Sequence, residues 1–360
     1  MINLESLLLE LSNAPGPSGF ENPVREIMKR ELSPFVDSLD TDGMGSLIGI
    51  KNGPSNSPNI MLSAHMDEVG LLVRYITDEG FIKFQNLGGW LDQAIIGQRW
   101  QILTSKRTVL GITGIKTPHV MSTEERGKVF KGENLFLDVG AQNKVDAENR
   151  LGIKPGDPIA PVSDATRLND SEFILGKAWD DRAGLAVLVG VMESVKDSDL
   201  PFNICAVATV QEEIGLRGAH TSSYAVNPDI GLNLESGVAG DYPSISQYEA
   251  QEKLGDGPAI FLHDSSMLPN LKLRDFVIDT AKASDINLQF NVLSGYGQDG
   301  AEMQKSFEGA PAINITVPTR YLHSHNSIIS IKDVEKAIGL VRQCILQLNL
   351  EKIKNLKNFD

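Results

Sequence analysis

The chain has 360 residues, 41% hydrophobic and 22% charged, the balance of a soluble globular protein long enough for more than one domain. Its formal charge of −14 argues against nucleic acid or an anionic membrane surface as the main partner. The two cysteines, Cys205 and Cys344, have no CxxC neighbour, which excludes a cysteine zinc site and a disulfide framework and suits a reducing compartment.

The opening segment MINLESLLLELSNAPG lacks a basic region, and its apolar residues are spaced as on one face of a helix. It reads as a first helix and not as a signal peptide. No apolar run approaches the roughly 20 residues of a membrane helix, so a cytoplasmic protein is expected. A second helix is predicted with Asn22 as N-cap and Pro23 at the first helical position, followed by VREIMKREL. Between the two lies APGPSGFE, whose prolines and glycines make it a loop. SLIGI reads as a strand, as does Asn59 to Ala64, which delivers His65 to its end.

From about residue 71 the texture changes. LLVRYITDEGFIKFQNLGG, RWQILT, RTVLGITGI and LFLDVGA are short β-branched or aromatic runs broken by Gly and Asp-Gly turns. That is the pattern of a small β-barrel or sandwich, and it continues to about residue 165. After ILGKAWDDRAG, helices and strands alternate, from AGLAVLVGVMESV and FNICAVATV to APAINITV and the closing helix IKDVEKAIGLVRQCILQLNL. Such alternation specifies an α/β fold with a mixed sheet covered by helices. Residues 1–70 and 166–360 are expected to form it, with residues 71–165 as an inserted β-barrel domain.

Ligands of open α/β sheets sit at the carboxyl ends of the strands. The polar residues that directly follow apolar runs are therefore the candidates: His65 and Asp67, Asp180 and Asp181, Glu212 and Glu213, Glu235, and His323. Singly, each has a bland explanation: a structural histidine, an N-cap aspartate, a solvated glutamate pair. Jointly they put two imidazoles and at least four carboxylates on one sheet edge, which is a metal centre. With no thiolate the set suits zinc, cobalt or manganese. One histidine per metal and a shared carboxylate make a two-metal site. In CAVATVQEEIG, one glutamate then binds metal. The other, pointing elsewhere because successive side chains of extended backbone alternate, is left beside the attacking water as a general base.

At these residues the chain resembles the tetrahedral (TET) dinuclear metallo-aminopeptidases, the glutamyl-aminopeptidase-like family, some of whose members carry an endoglucanase label. The resemblance spans nearly the whole chain, through GPSGFE, SAHMDEVG, GKAWDDRAG, TVQEEIGLRGA, GDYP, LGDGPAI and PTRYLHS in order. It implies the zinc-dependent exopeptidase fold and two divalent metal ions per subunit, zinc or cobalt. It further implies that His65 and His323 each ligate one metal, Asp180 bridges them, and Asp181 shares a cis peptide with Asp180. By the same resemblance Glu213 is a second carboxylate ligand, Glu212 the general base, and Asp67 the carboxylate that orients the His65 imidazole and tunes the base. The inserted domain matches the family's dimerisation domain. The expected partners are peptide substrates and further copies of the chain, as dimers building a hollow tetrahedral dodecamer.

Two departures stand out. Where the family has Asp, this chain has Glu235, one methylene longer, retained here as a ligand. The family's Thr-Asp-Ala segment reads Gln298-Asp299-Gly300, which alters the substrate-side wall; Asp299 is a candidate to hold a substrate amino group or to cap a loop. His119, His220 and His263 lie outside the constellation, while Lys177 and Arg182 read as structural ion-pair partners. The activity implied is metal-dependent removal of N-terminal residues from peptides. A glycosidase of the endoglucanase type finds little support in three Trp and 6% aromatics, since sugar subsites are lined by rings. A deacylase is a further alternative. A non-catalytic, metal-stabilised assembly protein would have no need of the spare base at Glu212.

Overall fold

Four segments are apolar at consecutive positions, the pattern of strands covered on both faces, and they form the centre of the sheet. The computed structural model describes residues 2–358. In chain order the strands are β1 (Ser38–Thr41), β2 (Leu47–Lys51), β3 (Asn59–His65), β4 (Gly70–Ile76), β5 (Ile82–Leu87), β6 (Arg99–Leu103), β7 (Thr108–Gly114), β8 (Phe136–Asp138) and β9 (Pro158–Pro161). They continue as β10 (Thr166–Arg167), β11 (Phe173–Gly176), β12 (Asn203–Thr209), β13 (Ile230–Val238), β14 (Ala259–His263), β15 (Gln289–Val292), β16 (Ala312–Arg320) and β17 (Ser327–Ser330).

An 11-stranded mixed sheet runs β1-β2-β12-β3-β13-β16-β17-β11-β10, with β14 and β15 attached through β16. Its four central strands, β12, β3, β13 and β16, are mutually parallel, so their carboxyl ends, and the residues that follow them, come out along one edge. The helix Trp179–Ser194 lies across β3 and β13 and under the helix Ile331–Gln347. Sandwiched in this way, Ala183 to Met192 are buried on every side, which is why this helix is apolar all round. β4 to β9 close separately into a six-stranded barrel, β4-β5-β8-β7-β6-β9, with its own core of Leu71, Val73, Trp100, Ile102, Leu137 and Ile159. The expected α/β sheet with an inserted barrel is the fold observed.

Two local expectations are corrected. The second helix spans Asn22–Leu32, so Asn22 is its first residue and Glu21 occupies the N-cap position, with no side-chain capping bond. The Asn22 amide oxygen is already taken, accepting from Arg25 Nη1 at 2.7 Å. The closing helix, expected to run through Leu350, ends at Gln347, and a separate helix, Leu350–Lys357, follows, its N-terminus capped by the Asn349 side chain, which accepts from Lys352 N at 2.9 Å.

Behind the sheet edge, Glu252 is fully buried. Its Oε1 accepts from Asn291 Nδ2 and Thr316 Oγ1, both at 2.9 Å, but its Oε2 has no partner. Burial therefore outweighs these bonds and lifts its pKa to about 7. The native state keeps this proton to about pH 7, whereas the unfolded chain releases it near 4.5, so stability falls as pH rises through that window. Glu252→Gln should therefore unfold at higher urea than the parent at pH 8, by about 1–3 kcal/mol, and differ little at pH 5. An equal difference at both pH values would show that Glu252 does not titrate between them.

Candidate metal centre

β3 ends in His65, whose ring is set by its immediate chain neighbours. Nδ1 donates to the Asp67 carbonyl oxygen at 3.0 Å, which aims Nε2 at Asp180 Oδ1, 2.9 Å away. Glu235, from β13, brings Oε1 to 3.4 Å from the same Nε2. The methylene added by Glu at this position thus still reaches the imidazole, while Oε1 also accepts from Ser236 N at 3.0 Å. On the other side, Asp180 Oδ2 lies 3.3 Å from His323 Nε2, which is 3.4 Å from Glu213 Oε2. His65, Asp180 and Glu235 form one group of potential ligand atoms and Asp180, Glu213 and His323 a second. Asp180 belongs to both and Glu212 to neither.

Asp180 and Asp181 precede the regular part of the Trp179–Ser194 helix, with non-helical backbone and a cis peptide between them. The Asp181 carboxylate ties strand to helix: Oδ2 accepts from His65 N at 3.1 Å and Oδ1 from Gly184 N at 2.9 Å. Its pKa is raised by burial and by the charge of Glu235.

The two adjacent glutamates are separated differently from the strand alternation anticipated above. β12 stops at Thr209, and Gln211 takes a left-handed conformation with φ 56°, so Glu212 and Glu213 stand in a turn. Asp67 holds that turn, its Oδ1 accepting from Glu212 N at 2.9 Å and its Oδ2 from Glu213 N at 3.2 Å. Ser18 Oγ donates to the same Oδ2 at 2.6 Å. Asp67 Oδ1 is 3.5 Å from His65 Nδ1, so the carboxylate acts on the glutamate backbone more closely than on the ring. Lys177 and Arg182 do form structural ion pairs: Lys177 Nζ lies 2.7 Å from Glu68 Oε2, and Arg182 Nη2 lies 3.8 Å from Glu68 Oε1, all buried.

Charge in the cluster is out of balance. Burial lifts Glu213 to about 8 despite the opposing pull of His323, and lifts Glu235 to about 7 despite His65. Glu212 is raised well above the carboxylate range by burial, with the charges of Glu235 and Asp299 overcoming His65. Burial disfavours protonated imidazole, yet Glu213 and Asp180 hold His323 up at about 10. The three glutamates and His323 are thus driven to retain protons, as groups do where positive charge is missing. Glu213 Oε1 and Glu235 Oε2 are buried without hydrogen-bond partners. Two divalent cations would satisfy these oxygens and displace those protons, so the residues fit the pair of metals that the sequence implies.

A cleft of ≈310 Å³ opens onto the cluster, lined by Asp180, Glu212, Glu213, Glu235, Leu216 and Tyr296 among others. Tyr296 was not found from the sequence; it donates to the Ser236 carbonyl at 2.9 Å and stands 3.4 Å from Asp180 Oδ2. Its place between Gly295 and Gly297, a turn that can approach other backbone closely, was the available signal. Ser18 was equally missed, although it lies in GPSGFE. Asp299 is fully buried, accepting from Thr209 Oγ1 at 2.5 Å, and makes no side-chain cap to the helix that follows. A larger cleft of ≈760 Å³, lined by Asn227, Leu268, Phe307 and Lys357 among others, lies at the amino ends of β13 and β16 and contains none of the cluster.

Residues 45–340 match the family described as M42 glutamyl aminopeptidase. The chain is 33% identical to the putative aminopeptidase FrvX of Escherichia coli K12 over 359 residues, 99% of each chain. Its fold is similar to that of a TET aminopeptidase from Thaumarchaeota archaeon SCGC AB-539-E09, with a TM-score of 0.95, 40% identity and coverage of 98% and 99%. It is also similar to the Pyrococcus horikoshii TET1 peptidase, which can assemble into a tetrahedron or a large octahedral shell (TM-score 0.86, 30% identity, coverage of 96% and 100%). With its mixed sheet, inserted barrel and paired His/Asp/Glu clusters, the chain belongs to the M42 glutamyl aminopeptidase family and is a metallopeptidase that hydrolyses peptide bonds.

Proposed function

We propose that this enzyme removes N-terminal residues from peptides with two metal ions and Glu212 as general base. The observation that carries the reading is the pair of ligand triads joined at Asp180, with Glu212 outside both and on the cleft wall. His65, Asp180 and Glu235 would hold one cation, and Asp180, Glu213 and His323 the other. When bound, divalent ions of the zinc or cobalt type polarise the scissile carbonyl and make water acidic near neutral pH. Glu212, with its Oε2 3.8 Å from His65 Nε2, takes the proton of the attacking water and returns it to the departing amine. Asp67 holds the turn that presents Glu212 and Glu213 by binding both backbone N–H groups, and the Asp67 carbonyl orients the His65 ring.

Family membership supports a cut at the amino terminus. Hydrolysis of aminoacyl-p-nitroanilides should require added zinc, cobalt or manganese, stop with chelator, and vanish when the substrate amino group is acetylated. Equal rates on free and acetylated substrates would sink the N-terminal specificity. For assembly, similarity to a TET1 peptidase that can form a tetrahedron, and to one solved as a dodecamer, supports a tetrahedral dodecamer; dimers are its proposed building block. The barrel, as the dimerisation domain, exposes Tyr75, Leu110, Ile112 and Val129. Among the described residues no helix is long and apolar enough to cross a membrane. Cys205 and Cys344 are buried free thiols, which supports a reducing, cytoplasmic address.

A further inference from the structure

We infer that the inserted barrel holds one of the two metal triads in position, through its Gly88-Gly89-Trp90 loop and through His325; the inference rests on the metal reading above. His323 follows β16 in left-handed backbone, φ 54°, and its Nδ1 donates to the Gly89 carbonyl at 2.7 Å. That bond aims Nε2 at Asp180 and Glu213. Gly88 lies beside Glu213, the second unshared ligand of the same triad. A Cβ on Gly88 would stand 3.2 Å from Glu213 Oε2 and 2.7 Å from Val69 Cγ1, at a φ of +81° that already favours glycine.

Two residues past His323, the buried His325 ring also packs on the barrel. Its Nε2 meets the Arg99 carbonyl at 3.0 Å, and the ring lies edge-on to Trp100 and tilted on Trp90, with centroids 4.4 and 5.6 Å away. Trp90 is itself tied down, Nε1 donating to the Gly70 carbonyl at 2.9 Å. The connection from β16 to β17 is thus pinned to the barrel at both histidines. His65 and Glu235, the unshared ligands of the other triad, stand on β3 and β13 within the central sheet. One triad has its unshared ligands on the sheet, and the other has both of its unshared ligands in loops that the barrel touches. His325 and Trp90 are positioning residues acting through His323, and Gly88 is the space that Glu213 needs. Such supporting contacts are worth about 10–100-fold in metal affinity.

The test is a zinc titration of the full chain against a competing chelating dye, counting equivalents and their affinities. The parent should bind two. His325→Phe, which keeps the ring but loses the N–H, and Trp90→Ala should each weaken one equivalent by about 10–100-fold and leave the other at parental affinity. His323→Ala identifies which equivalent that is. Gly88→Ala should weaken the same one through Glu213, and this one-methyl change carries the test if a ring substitution unfolds the chain. Two equivalents at parental affinity in the variants, or equal weakening of both, overturns the inference while the metal reading stands. A parent that binds fewer than two overturns the metal reading and this inference with it.

Discussion

Glu212→Gln should bind two metal equivalents like the parent and lose about 10²–10⁴ of its kcat, the usual contribution of a positioned general base. The prediction rests on Glu212 belonging to neither ligand triad while lining the cleft. Gln keeps the size and the backbone bond to Asp67 Oδ1, so the turn that also presents Glu213 should be preserved. What disappears is a carboxylate able to accept a proton. The measurement is metal content by elemental analysis beside initial rates on an aminoacyl-p-nitroanilide. If metal and activity fall together, Glu212 is a ligand and the base lies elsewhere; if neither falls, it is a bystander.

Asp180→Ala should lose both equivalents at once and with them all activity. Each Asp180 oxygen faces a different histidine, at 2.9 and 3.3 Å. Burial opposes its charge, but the two imidazoles outweigh that and hold the carboxyl well below its ordinary range. Removing it leaves each triad with a single carboxylate and a single imidazole. A protein that binds metal at about 100 times Kd gains about 2.7 kcal/mol, so the parent's Tm should rise on adding zinc and the variant's should not. His323→Ala, by comparison, leaves the His65–Asp180–Glu235 group intact and should retain one equivalent. Retention of one equivalent by Asp180→Ala as well would show that Asp180 does not bridge.

Much of this site was legible because its residues end apolar runs. His65 closes β3, Glu235 lies within β13 as its apolar run ends, and the glutamate pair follows β12, so polarity at a strand end reports directly on the sheet edge. The barrel was legible for a similar reason: its short strands and Gly turns differ in texture from the consecutive apolar strands around it. Strand alternation, by contrast, does not separate Glu212 from Glu213. Alternation along a strand requires extended backbone, and the chain had already turned at Gln211, φ 56°. Nothing in QEEIG announces that Asp67 will collect two of its backbone N–H groups.

By itself, the sequence determined where strands and helices alternate, that a barrel interrupts the chain, and which residue types meet at one edge. Those properties follow from local periodicity and from the solvation cost of leaving charged groups at the ends of buried strands. Only the tertiary structure decided which carboxylate goes with which histidine, Glu235 with His65 and Glu213 with His323, and which neighbours hold them. The Gly89 carbonyl that orients His323 is 234 positions away, the Tyr296 phenol beside Asp180 is 116 away, and Ser18 is 49 from Asp67. Contacts of that separation depend on how sheet, barrel and loops close upon one another, and a carbonyl oxygen or a glycine's missing Cβ has no side-chain signature to read in advance.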